Sequence, residues 1–76
     1  MSLKNQVKQI LENFDNVSSR EILELLNQFL FEFQSPIVQD YLKGKLKVIS
    51  NTFTESEKKK LCKNLKPYFD WYLQGQ

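Results

Sequence analysis

The chain has 76 residues, 41% hydrophobic and 26% charged, with a formal net charge of +2, a composition suited to one small globular domain and too apolar for a disordered one. It carries one cysteine and no histidine, which excludes an internal disulfide, the usual Cys/His zinc site and any nucleophile paired with an imidazole. A domain under about 80 residues without such staples depends on efficient helix packing or on association.

Four helices are predicted, over about 3–14, 19–33, 36–50 and 55–73. In the first, Leu3, Val7, Ile10, Leu11 and Phe14 form one narrow apolar stripe, which marks a peripheral helix. Asp15 and Asn16 end it; Met1 and Ser2 are given no part in it. The second opens on a capping box, with Ser18 as N-cap and Glu21 at N3, and Val17 is placed to staple onto Ile22. Ile22, Leu25, Leu26, Phe29, Leu30 and Phe33 then cover an arc of about 140°. That wide face predicts the central helix.

Ser35-Pro36 starts the third helix, serine as N-cap and proline at N1. Its apolar residues, Ile37, Val38, Tyr41, Leu42, Leu46, Val48 and Ile49, spread over nearly half the circumference and are expected to face the core. Gly44 lies at the edge of that arc, where close approach by another helix would account for it. The fourth helix opens on a second capping box, Thr54 with Glu57, and runs on a stripe of Leu61, Cys62, Leu65, Tyr68, Phe69 and Tyr72. Pro67 interrupts it on the side opposite the stripe. The expectation is a bend around the core, with termination near Lys66 as the alternative. Short connections then predict an all-α fold, a compact antiparallel up-down bundle of four helices, as a single domain over 1–76.

Several residues depart from a plain core-and-surface pattern. Phe31 falls opposite the apolar face of its helix, either tucked under the next connection near Pro36 or offered to a partner. Trp71 lies outside the last stripe, either packed over a neighbouring helix end or exposed beside Tyr68 and Tyr72 at a protein or membrane surface. Lys45 sits within the apolar arc of the third helix, snorkelling or paired with an acid such as Glu12 or Glu24. Cys62 reads as a small buried hydrophobe. Charge is uneven: residues 1–34 hold three cations and five acids, residues 35–76 eight lysines and four acids. Lys59, Lys63 and Lys66 cluster on one side of the last helix, a solvated face or a site for an acidic partner.

No charge-free stretch exceeds seven residues, too short for a transmembrane helix, and no signal peptide is expected. One cysteine and a lysine-rich surface suit a reducing cytoplasm. Two glycines cannot build a phosphate loop, and little chain is left to shape a pocket. No enzymatic activity, metal, cofactor or small-molecule substrate is therefore expected. Nucleic acid is a poor candidate, since ten lysines and one arginine lack the bidentate donors of base readout. Peripheral membrane contact stays open.

The chain also resembles the immunity proteins of pediocin-like bacteriocins, of the enterocin A immunity type. The matching stretches are Gln9-Ile10-Leu11, Arg20-Glu21-Ile22-Leu23-Glu24-Leu25-Leu26, Ser35-Pro36-Ile37-Val38, Thr52-Phe53-Thr54-Glu55 and Lys60-Leu61-Cys62-Lys63-Asn64-Leu65. The resemblance implies a cytoplasmic antiparallel four-helix bundle that protects its producer by engaging a bacteriocin-bound membrane permease. Phe31, Lys59, Lys63, Lys66, Tyr68, Trp71 and Tyr72 are the candidate partner-binding residues. A small helical adaptor or regulator, binding another protein through exposed aromatics, is the alternative.

Overall fold

The computed structural model describes residues 2–75, and among these there are helices and turns but no strand. Five α-helices follow in order: α1 (Leu3–Glu12), α2 (Ser19–Phe29), α3 (Pro36–Ser50), α4 (Glu55–Lys63) and α5 (Lys66–Leu73). Short 3₁₀ turns at Phe14–Asn16 and Leu30–Glu32 finish α1 and α2.

Side-chain caps fix the starts of four helices. The hydroxyls of Ser18, Ser35 and Thr54 accept from the backbone N–H groups of Glu21, Val38 and Glu57 at 3.2–3.3 Å. Each satisfies a donor that the first turn leaves open. Ser2 does the same for α1, accepting from the Asn5 N–H at 3.2 Å, so it does have a part in the first helix. Neither capping box closes reciprocally, and Glu21 and Glu57 both lie exposed.

The fourth predicted helix is two helices. Pro67 has no N–H to give the Lys63 carbonyl, and its ring crowds that carbonyl. The helix therefore stops at Lys63, crosses Asn64 and Leu65 on three-residue hydrogen bonds, and restarts at Lys66. A break replaces the expected bend. It has a packing consequence: α4 lies against α2 and α3, whereas α5 turns onto α1.

The core is centred on α2, from which Ile22, Leu23, Leu25, Leu26 and Phe29 are all buried. Phe29 meets Phe69 edge-on at 4.9 Å and stacks on Tyr72 at 4.8 Å. Aromatic pairs of this kind contribute about 0.5–1.5 kcal/mol beyond their burial. The helix tightens to 3₁₀ at Leu30, and Phe33 takes extended backbone. That turn swings Phe33 into the core while Phe31 points out.

Two polar contacts tie α4 to the connection between α1 and α2. Glu55 accepts from the Ser19 N–H at 2.7 Å and from the Ser19 hydroxyl at 2.6 Å. One turn later, the Lys59 ammonium donates to the carbonyls of Phe14 and Val17. A carboxylate thus meets the open N–H end of α2, and a cation meets the carbonyls that close the preceding turn.

The third helix differs from its prediction. Only Leu42 and Ile49 are fully buried, with Val38 and Leu46 partly covered. Ile37, Tyr41 and Val48 stand 81%, 46% and 57% exposed. The broad apolar arc is two faces, and only one belongs to the core. No atom lies within 4 Å of a Cβ built on Gly44, so no helix of the same chain approaches closely there.

Candidate functional site

The basic face expected on the last helix is not assembled. Lys59 is turned inward to the Phe14 and Val17 carbonyls. Both Lys59 and Lys66 hold their ammonium groups 4.9 Å from the centre of the buried Phe14 ring, a cation–π arrangement. Lys63 alone of the three is exposed. Lys59 of α4 and Lys66 of α5 thus converge on one buried ring from either side of the break.

Tyr72 also leaves the list of surface candidates. It is buried in the core, where its hydroxyl donates to Glu32 Oε1 at 3.1 Å. Burial, the hydrogen bond to Glu32 and the charge of that carboxylate together raise its pKa above the usual phenol range.

Besides Lys63, three aromatic candidates reach the surface. Trp71 packs on Phe33 at 5.3 Å and on Tyr68 at 6.2 Å, yet stays 42% exposed. Tyr68, half-buried, reaches Tyr41 of α3 at 5.7 Å. Together they make an aromatic strip that joins α3 to α5. Phe31 is more than half exposed, with the Lys43 ammonium 5.1 Å from its ring centre, rather than tucked beneath Pro36.

Lys45 is exposed and lies over the Tyr41 ring at 5.5 Å; it pairs with neither Glu12 nor Glu24. Glu24 instead takes Arg20 at 3.2 Å. Ile37, Tyr41, Val48 and the fully exposed Phe53 are surface residues that helical periodicity did not single out. For Phe53 a signal existed: it lies in a turn between two helices, where no apolar stripe accounts for it.

Open grooves also lie on the surface of the described residues. One of about 400 Å³ runs past Gln6, Gln9, Ile10, Glu21 and Gln28. Another, about 460 Å³, lies among Arg20, Leu23, Asn27, Leu46 and Lys58, with Ser19 and Glu55 in its wall. The Ser19 hydroxyl is engaged by Glu55, whose pKa its hydrogen bonds with Ser19 hold below the usual carboxylate value. Such a carboxylate is a weak base.

Cys62 is fully buried, and desolvation pushes its thiol up to about 11. Among the described residues no group of three or more histidine, cysteine or acidic side chains could hold a metal ion. No helix among them is long and apolar enough to cross a membrane. Compared with known proteins, the chain matches no family model, no curated protein and no solved structure.

Proposed function

We propose that this chain is a small cytoplasmic protein-binding module that acts as the immunity proteins it resembles do, engaging a bacteriocin-bound membrane permease and protecting its producer. The scaffold for this is an up-down bundle of four arms, α4 and α5 together forming a broken fourth arm. The observation that supports the reading is the partly exposed aromatic strip of Tyr41, Tyr68 and Trp71 on a rigid helical frame. Aromatics half-held by their neighbours lose little side-chain freedom on docking, and such residues dominate binding hot spots. The chain needs neither a metal nor a substrate pocket for this role.

The test is expression in a strain sensitive to pediocin-like peptides. Wild type is expected to confer resistance to at least one such peptide, and Trp71→Ala, expressed at the same level, to lose it. Unchanged sensitivity to every peptide tried would sink the immunity role.

A second reading, an adaptor or regulator with a different protein partner, draws on a separate observation. Lys59 and Lys66, where charge-led recognition would sit, are engaged on Phe14 inside the fold. For an adaptor, Trp71→Ala and Phe31→Ala should each deplete the same partner in a pull-down while leaving the bacteriocin response unaltered.

A further inference from the structure

The outer face of α3 has a pattern of its own. Ile37, Tyr41, Gly44 and Val48 follow one another at intervals of four, three and four residues. That is the spacing of a two-stranded helical seam, Ile37 and Gly44 at one core position and Tyr41 and Val48 at the other. The buried Leu42 and Ile49 lie about 120° round the helix from it, so the seam is separate from the core-facing stripe. All three apolar members are exposed, and the space above Gly44 is empty.

We infer that this face is covered by the α3 of a second copy of the same chain, running antiparallel about a two-fold axis. The seam is complementary to itself in that register. Ile37 of one copy lies opposite Val48 of the other, and Tyr41 lies opposite Gly44. The Tyr41 ring fills the space that the missing side chain leaves, and the absent Cβ lets the helices approach at the short end of the usual 8–10 Å.

Charge follows the same register. In an antiparallel pair, like flanks of the two helices meet. Asp40 and Lys47 share one flank, so Asp40 of each copy faces Lys47 of the other, making two reciprocal pairs. Within the chain, both residues are exposed and neither forms an ion pair among the described residues. Lys45 and Val38 share the other flank, where the lysine stem can lie on the valine. The two-fold symmetry makes the contact closed, so it yields a dimer and not a filament. The inference goes beyond the protein-binding reading and does not depend on the identity of any outside partner; Tyr41, shared with the aromatic strip, is covered in the dimer, so the strip's outside contact falls to Tyr68 and Trp71.

Sedimentation equilibrium on the full chain tests it. Wild type is expected to show a monomer–dimer equilibrium that loosens with salt. Gly44→Glu should be monomeric at every concentration. Its melting temperature in dilute solution should not fall, because the new side chain meets nothing inside the chain. Asp40→Lys should weaken the dimer about tenfold, by turning two attractions into repulsions. Asp40→Lys combined with Lys47→Asp should restore it. A wild type that stays monomeric throughout, a dimer that survives Gly44→Glu, or a double variant as weak as Asp40→Lys would each overturn the inference.

Discussion

Glu55 shows how much one side chain can organise in so short a chain. It holds the first N–H and the hydroxyl of α2 through Ser19, and those two hydrogen bonds depress its pKa. A carboxylate with a depressed folded pKa stabilises the fold above its unfolded value, near 4.5. That stabilisation is lost as pH falls through the lower folded value. Urea titrations at descending pH should therefore show stability dropping below about pH 4.5, and Glu55→Gln should flatten the drop. Tyr72 has the opposite sign. Its raised pKa favours the neutral phenol in the folded state, so its contribution holds below the ordinary phenol value and fades in alkali. Tyr72→Phe removes one part-buried hydrogen bond and is expected to cost about 1 kcal/mol in chemical denaturation. Cys62, buried and with its thiol pushed up to about 11, should resist a thiol reagent until the chain unfolds. Its burial was legible from its place on an apolar stripe. The partners of Lys59 were not, because the carbonyls it meets are 42 and 45 residues away in sequence.

Helix starts were the most legible elements, since a cap is decided by neighbours within three residues. Ser18→Ala, Ser35→Ala and Thr54→Ala should each cost about 1 kcal/mol of unfolding free energy. Helix ends and faces were harder to read. Pro67 announced a disturbance but not whether α4 bends or breaks; the break sends α5 onto α1. In α3, periodicity registers apolar residues without registering what covers them. Leu42 and Val48 look alike in a wheel, yet one is buried and the other more than half exposed. Gly44 separates the two effects cleanly. With open space above it, Gly44→Ala should stabilise the monomer by up to about 1 kcal/mol through helix propensity, measured by thermal unfolding in dilute solution.

At the scale of the molecule, a chain with a single cysteine gathers its core around Phe29, in contact with Phe33, Phe69 and Tyr72. Phe29→Ala is expected to cost about 3–5 kcal/mol, a large share of the stability of so small a domain. The proposed partner surface was only partly legible. Trp71 and Phe31 stood out as misfits on their wheels and are exposed, whereas the lysine cluster is partly engaged on Phe14 and Tyr72 belongs to the core. The strip from Tyr41 to Trp71 could not be read locally, because it joins residues of α3 and α5 through tertiary packing.

The α3 helix carries two apolar faces, one buried and one exposed, and the exposed one is proposed to pair with a second copy of the chain. Backbone amide NMR across a dilution series tests this most directly. Concentration-dependent shifts confined to residues 37–48 and the neighbouring Tyr68 are expected. Spectra that do not change with concentration, or shifts centred on α1 and α2, would contradict it.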